Sequence, residues 1–289
     1  MNNTPTHCLA YCSPAGSTAG LAETIGHELS KQDLVPVYLN LGNPDWKTRT
    51  RSVFSQGAPV FLWLGSPVYA QHPVPPVTSF LDWLPPQKQQ PLAVPFVTWG
   101  EVCTGTALLD MGRALEDKGF QLAGAAALPA EHSSLWMLDQ PFGAGRPDTR
   151  DQEELRKLVR QILHHMASGA LTGIASRDLD YQPETVKAFA RSIDIDTVKQ
   201  HHPGYALDQE RCTQCGICRD QCPAGAISLD PYPVISQDCF LCNNCVRFCP
   251  EEAMSVTSGD IKQRLLDMQK KFEEKPQPRI FQGCLRPQS

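Results

Sequence analysis

The chain has 289 residues, 26 Lys plus Arg against 31 Asp plus Glu for a formal net charge of -5, and a hydrophobic fraction of 41%. That length and apolar content suit a globular protein of one or two domains, and the mild negative charge argues against a nucleic-acid binder. No apolar run approaches the about 20 residues that span a bilayer, and Met1 to Pro14 has neither a basic start nor an apolar signal core, so a cytoplasmic protein without membrane insertion is expected.

Residues 6 to 11 read as a short strand. The chain then turns through Ser13-Pro14-Ala15-Gly16-Ser17-Thr18 into an amphipathic helix carrying Leu21, Ile25 and Leu29. A hydroxyl-rich loop with a glycine at a helix start offers free N–H groups and the positive dipole end to a phosphate; the plainer alternative makes Ser17 or Thr18 a simple N-cap. Further strands are expected at Leu34 to Leu39, Pro59 to Gly65, Leu92 to Trp99 and Gln121 to Leu128. Helices are expected at Pro44 to Phe54, Pro75 to Leu84, Thr106 to Lys118 and Asp151 to Met166. Five strands alternating with helices predict an α/β fold, a doubly wound five-stranded parallel sheet covered on both faces. Ligands of such sheets bind beyond the carboxyl ends of the strands, so loops 13–18, 65–72 and 99–105 should build one site. Cys8 and Cys12, beside the first strand, and Cys103 in the third loop read as small buried hydrophobes, although Cys103 beside a redox group could act as a thiol.

From Leu171 to Gly204 the pattern loosens into a connector, with a short helix from Pro183-Glu184 through Val186 and Phe189 and a further turn at Ile195 to Val198. His201-His202 without further ligands is a weak metal signal. Then Cys212, Cys215, Cys218 and Cys222 run C-x2-C-x2-C-x3-C-P, and Cys239, Cys242, Cys245 and Cys249 repeat the spacing. Two such runs fit two 4Fe-4S clusters, each run giving three ligands to one cluster and its last cysteine to the other. One cluster then takes Cys212, Cys215, Cys218 and Cys249, and the second Cys239, Cys242, Cys245 and Cys222. A disulfide framework does not explain the repeated spacing; four-sulfur zinc knots are the nearer rival, but they rarely need the third C-x2-C step or the x3-C-P ending. Ala226 to Leu229 and Pro233 to Ile235 should be short strands covering the clusters, in a small α+β domain. Residues 205–257 hold Arg211, Arg219 and Arg247 against seven acidic residues, a surface that favours a basic docking partner. A helix with Ile261, Leu265, Leu266 and Met268 follows, expected to pack on this module or on a partner, and Cys284 reads as an unligated surface thiol.

The loop from Ser13 to Thr18, the segment Gly65-Ser66-Pro67-Val68-Tyr69-Ala70 and the segment Thr98-Trp99-Gly100 resemble the three flavin-contacting loops of flavodoxins. With the cysteine runs behind them, the chain over residues 6 to 257 is similar to a fused flavodoxin-ferredoxin family. The phrases Ala130-Glu131-His132-Ser133 and Gly145-Arg146-Pro147-Asp148 look alike too. The resemblance implies FMN as cofactor beside the two 4Fe-4S clusters. Ser13, Ala15, Gly16, Ser17 and Thr18 would hold its phosphate; Ser66, Pro67, Val68, Tyr69, Ala70, Thr98, Trp99, Gly100 and Gly105 would surround its ring, with Tyr69 and Trp99 flanking the flat face. Read without the resemblance, those two are core aromatics at strand ends. The chain departs from flavodoxins at Pro14-Ala15 and at Ala70-Gln71, where a glycine often lies near the flavin.

The expected organisation is a flavodoxin-like domain over 1–170, a helical connector over 171–204, a two-cluster ferredoxin domain over 205–257 and a C-terminal helix and tail over 258–289. The function expected is electron transfer between FMN and the two clusters and on to a partner redox protein, in an anaerobic or microaerobic cytoplasm. The alternative is a flavin-dependent reductase of a small acceptor such as a quinone, fed by the clusters, with Glu101 as its one acid-base candidate. No G-x-G-x-x-G fingerprint follows a strand, so no nicotinamide site is expected. A third possibility is a flavodoxin-like scaffold that has lost its flavin.

Overall fold

In the computed structural model, residues 5–55, 59–256 and 261–283 are described; Cys284 lies outside them. Five parallel strands form the centre of the first domain: β1 (Thr6–Tyr11), β2 (Val37–Asn40), β3 (Val60–Tyr69), β4 (Leu92–Trp99) and β5 (Gly124–Pro129). Their order across the sheet is β2-β1-β3-β4-β5. This is the doubly wound arrangement expected, with the strand order reversing at β1 and β3. Cys8, Leu9 and Ala10 of β1 and Leu62, Trp63 and Leu64 of β3 are all fully buried, because a central parallel strand is covered on both faces.

The covering helices are α1 (Ser17–Ser30), α2 (Trp46–Phe54), α3 (Pro75–Trp83), α4 (Ala107–Asp117) and α5 (Thr149–Ala167). Leu21, Ile25 and Leu29 of α1 and Leu155, Leu158 and Ile162 of α5 repeat at helical spacing and pack with Phe61 and Trp63 on one face. Val77, Phe80, Leu108, Met111 and Leu115 of α3 and α4 cover the other. The phrase Gly145-Arg146-Pro147-Asp148 serves this framework: Asp148 caps α5, and Arg146 pairs with the buried Asp151.

Three boundaries differ from the sequence expectation, each for a local reason. Strand β2 starts at Val37 because the Leu34 N–H closes α1 on Leu29 O and Pro36 has no N–H to pair. The run 121–128 is split: Leu122 pairs with Ala93 but Ala126 with Phe96, so the register shifts by one residue between them. Strand β3 runs on to Tyr69, so most of the loop expected at 65–72 is strand and hairpin.

The connector carries α6 (Glu184–Ser192) and α7 (Ile195–Gln200) and packs back on the sheet domain, Leu179 entering its core. The cysteine module follows: β6 (Tyr205–Leu207), α8 (Ile217–Asp220), β7 (Ile227–Leu229), β8 (Pro233–Ile235), α9 (Asn244–Arg247) and β9 (Met254–Val256). Strands β7 and β8 pair, as do β6 and β9. The C-terminal α10 (Ile261–Phe272) does not rest on this module alone. Phe272, Leu265 and Met268 pack with Val102, Cys103 and Val186 of the sheet domain and connector. The chain then adds a strand no sequence signal marked, β10 (Arg279–Gln282), antiparallel to β5. It covers an exposed sheet edge, and Gly124 permits the approach, since a Cβ there would lie 2.9 Å from Phe281 O. Among the described residues no helix is long and apolar enough to cross a membrane.

Candidate functional site

The site starts where β1 ends. Gly16, at φ 92°, is the N-cap of α1, without a side-chain cap bond and with no acidic residue in the first turn. Ser13 Oγ accepts from Ala19 N at 2.9 Å, which wraps the loop around the helix end. Neither Ser17 nor Thr18 is the N-cap, so the plainer alternative for them fails. The opening N–H groups of a helix have no intrahelical acceptor and carry its positive dipole end. Thr18 Oγ1 shares a 2.8 Å hydrogen bond with Thr98 Oγ1, tying this loop to the end of β4.

After Tyr69 the chain makes a two-residue turn, Ala70 at φ 47° and Gln71 at φ 74°, into His72-Pro73, with Tyr69 facing His72. Left-handed backbone is costly for residues with a Cβ, and the turn is held from several sides. Gln71 O accepts from Thr106 N at 2.9 Å. Gly105, at φ 57°, packs beneath: a Cβ there would lie 2.3 Å from Gln71 O. His72 Nδ1 faces Asp110 Oδ2 at 2.8 Å, and its Nε2 faces the carbonyls of Ala190 and Ile193 at 2.9 and 3.1 Å. Asp110 raises the His72 pKa, opposed by burial and helped by those carbonyls. The hairpin is thereby clamped to α4 and to the end of α6.

These loops open on one cavity of about 370 Å3, within the size range of cofactor pockets. Of the residues expected to hold the flavin, Ser13, Ala15, Ser17, Thr18, Pro67, Val68, Tyr69, Ala70, Thr98, Trp99 and Gly100 line it. Gly16, Ser66 and Gly105 do not. Ser66 is fully buried, its hydroxyl accepting from Val74 N and donating to Pro67 O, so it closes the hairpin. Gly16 shapes the helix start, and Gly105 supports the turn. Glu101 does not line the cavity either; its carbonyl accepts from Gln269 Nε2. Cys103 lines it but is 5% exposed, and burial, then Glu274, push its thiol pKa up, which leaves it an unreactive small hydrophobe. Cys8 and Cys12 are fully buried, each pushed up to about 12 by burial.

Tyr69 and Trp99 both line this cavity. Tyr69 Oη bonds Ser133 Oγ at 2.7 Å, and its ring meets Phe240 edge-on, centroids 5.8 Å apart. Trp99 is 2% exposed, and its Nε1 has no hydrogen-bond partner among the described residues; the same holds for Gln71 Oε1.

Sequence reasoning missed much of the far wall. His132, which in sequence reads as a structural turn histidine or a donor to the flavin site, packs against Gly100, accepts from Ser134 N and is lowered by burial to about 4, so it is neutral at pH 7. Ile195, Val198, His201 and His202 of the connector, Leu241 and Asn243 of the cysteine module, and Arg264, Leu265 and Met268 of α10 complete the enclosure. The only signal for these was the apolar spacing of the two helices; which surface they would cover depends on long-range packing.

In the cysteine module, Cys212, Cys215, Cys218 and Cys249 line a small cavity of about 20 Å3. Burial first pushes the Cys242 thiol pKa up, opposed by the Asn244 N–H and helped by Cys222, Cys239 and Cys245. Local geometry repeats as well: Gln214, Gly216 and Gly225 have positive φ, as do Leu241, Asn243 and Glu252 at the matching positions. Ala226 N donates to Cys222 Sγ, and Ala253 N to Cys249 Sγ, both at 3.3 Å. Soft sulfur donors supported by N–H···S bonds suit iron-sulfur ligation. The repeats differ in dress. Thr213, Gln214 and Cys215 are exposed, whereas the matching Phe240 is 1% exposed and Leu241 lines the large cavity.

Residues 205–228 match the family described as a 4Fe-4S binding domain. A curated relative, the polyferredoxin protein MvhB of Methanothermus fervidus, is 41% identical over 65 residues, 20% of this chain and 15% of that protein. The chain thus spans a small part of the length of the relative it matches. Binding of a 4Fe-4S cluster is therefore a property of this segment. Among solved structures, a flavodoxin from the domain Archaea is similar over 56% of this chain and 99% of its own, with 15% identity and a TM-score of 0.43. Flavodoxin 2 of Bacillus cereus covers 55% of this chain and 98% of its own, at 15% identity and a TM-score of 0.43. A flavone reductase covers 63% and 70%, at 10% identity and a TM-score of 0.44. At such scores the doubly wound, flavodoxin-like fold rests on the strand order itself.

Proposed function

We propose that the chain is an internal electron relay that joins an FMN site to two 4Fe-4S clusters and, through them, to a partner redox protein. The supporting observation is that Leu241 and Asn243, set between the ligand-type cysteines Cys239, Cys242 and Cys245, form part of the wall of the cavity that Tyr69 and Trp99 also line. FMN supplies one or two electrons, whereas each cluster moves one, so together they convert between the two kinds of transfer.

In this reading the first turn of α1, with Ser13 and Ser17, holds the phosphate, and Tyr69 and Trp99 enclose the ring and keep water from it. Cys239, Cys242, Cys245 and Cys222 hold the cluster nearest the flavin; Cys212, Cys215, Cys218 and Cys249 hold the one nearest solvent, where Cys215 is exposed. The dress of the two loops supports this order: Phe240 is buried and Leu241 lines the large cavity, whereas Thr213 and Gln214 are exposed. Without a nicotinamide fingerprint, electrons enter and leave through another protein, a basic one by charge complementarity with the acidic module. A cytoplasm poor in oxygen is the setting this reading takes.

The test is anaerobic purification with iron, sulfide and flavin analysis. About eight irons and one FMN per chain are expected; four irons, or no bound flavin after incubation with FMN, would refute the relay. One observation favours the reductase instead: the cavity wall includes α10 with Arg264, Leu265 and Met268, beyond the flavodoxin-type loops. Glu101, outside the cavity, is not available to that chemistry as a proton donor. Turnover of a soluble quinone that falls with Arg264→Ala, while one-electron transfer to a dye persists, would select the reductase.

A further inference from the structure

Two residues before Cys239 the connector makes a polar contact with the cysteine module. Lys199, in the last turn of α7, donates from Nζ to Gln237 O at 2.7 Å, and Ile195, at the start of the same helix, packs against the core that includes Phe240. The helix thus meets the chain on both sides of Cys239. The Lys199 side chain is 26% exposed, while its carboxylate neighbour Asp196, at 2.7 Å, is 77% exposed. A cation sheltered and held by a main-chain carbonyl is screened less than a free surface lysine, whereas water damps the charge of the carboxylate. On the cysteine itself, Leu241 N donates to Cys239 Sγ at 3.4 Å. Burial raises the Cys239 thiol pKa, and the Leu241 N–H and the charge of Lys199 are among the groups that oppose it. What favours a thiolate over a thiol also favours the more negative state of a cluster bound there, because each places added negative charge at the same sulfur.

We propose that Lys199 is a potential-setting residue, its ammonium raising the reduction potential of the cluster held by Cys239, Cys242, Cys245 and Cys222. This rests on the two-cluster reading above and deepens it. Each reduction adds one electron, so the cluster becomes one unit more negative, and a nearby cation stabilises the reduced form more than the oxidised one. The fold creates the need for such a group. Phe240, 1% exposed, shields this cluster from water, and apolar cover disfavours added negative charge and lowers the potential; the solvent-side cluster, beside exposed Cys215, is shielded less. Burial alone would put the flavin-side cluster below the solvent-side one, so that an electron arriving from a partner would have to climb. Lys199 shrinks that step. The helix that lines the cavity with Ile195 and Val198 therefore also sets the charge beside the cluster.

The test is a redox titration of the full, anaerobically prepared chain with dithionite and mediators, both clusters followed by electron paramagnetic resonance. Lys199→Met keeps the reach of the side chain and removes its charge. At a fixed potential the ratio of reduced to oxidised flavin-side cluster is expected to fall about fivefold, while the solvent-side ratio stays within about twofold of wild type. Lys199→Arg should restore the ratio, since it returns the charge and the donor. A merely structural role for Lys199 predicts the opposite: lower melting in Lys199→Met with both potentials where they were. Where Lys199→Met fails to assemble its clusters, Lys199→Gln decides, because it keeps an N–H donor and lacks the charge. Unchanged potentials in the uncharged variant, with two clusters bound, overturn this proposal and leave the two-cluster reading standing. A wild-type chain that holds only about four irons refutes that reading, and this proposal falls with it.

Discussion

Glu274 gives the sharpest stability test, because one carboxylate holds the C-terminal segment to the first domain. Its oxygens accept from Thr104 N at 2.8 Å, from Thr104 Oγ1 at 2.9 Å and from Gln182 Nε2 at 2.8 Å. Thr104 is 1% exposed and Gln182 9%, so Glu274→Ala takes the acceptor from donors that water reaches poorly. Thr104 Oγ1 keeps Tyr181 Oη and Gln182 Nε2 keeps Thr104 Oγ1, so Thr104 N is the donor left without a partner; one orphaned buried donor at about 1–3 kcal/mol and the two lost bonds to a carboxylate put the loss at about 3 kcal/mol. Glu274→Gln keeps an acceptor and should lose about half of that. The loss should be local first: α10 and β10 lie next to the clasp, and α10 lines the cavity. Guanidinium denaturation measures the magnitude, and hydrogen exchange measures the place, with faster exchange across 261–282 before the parallel strands respond. A Glu274→Ala chain within about 0.5 kcal/mol of wild type, the range of ordinary surface substitutions, would refute the reasoning, since the donors would then have found other partners.

His72 should give the fold a pH dependence. Its pKa is raised in the folded chain by Asp110 first, so the stabilisation is complete below the unfolded value of about 6.5 and is lost as pH rises through the raised folded value. Melting followed from pH 6 to 9 should show that decline, and His72→Asn should flatten it. Phe240→Ala, at 1% exposure, should cost about 3–5 kcal/mol by denaturant midpoint, whereas Thr213→Ala at the matching exposed position should cost under about 0.5 kcal/mol. Equal effects would remove the distinction between the two loops. Cys249→Ser should perturb the electron paramagnetic resonance signal of the solvent-side cluster, and Cys222→Ser that of the flavin-side one; the reverse assignment would undo the crossed ligand sets.

Much of this was legible in the sequence because it depends on short-range spacing. The two cysteine runs sit at a ligand interval that no other common use of cysteine requires, and the alternation of apolar runs with helical patterns leads to a parallel sheet with its loops on one side. The first and third loops could be placed from residues alone, since a strand end and a helix start are local events. What needed the tertiary structure is set by contacts distant in sequence. Residues 279–282 carry only Ile280 and Phe281 as apolar signal, and they become a strand because β5 offers an open edge. Glu101 and Cys103 share one loop, yet only the cysteine reaches the cavity; the backbone turns at Glu101, φ 58°. Gln71 shows in the sequence only as a departure from the flavodoxin pattern; its burial in a left-handed turn braced by Thr106 and Gly105 is set by contacts distant in sequence.

By itself, then, the amino-acid order determined the chemistry the chain can hold, because metal-ligand spacing and helix-start loops are written in consecutive residues. Only the fold decided how those chemistries meet. Phe240 is buried and Leu241 half-buried where Thr213 and Gln214 are exposed because Phe240 packs into the core of the sheet domain beside Ile195 of the connector, and burial of apolar surface selects which of the two matching loops is turned inward.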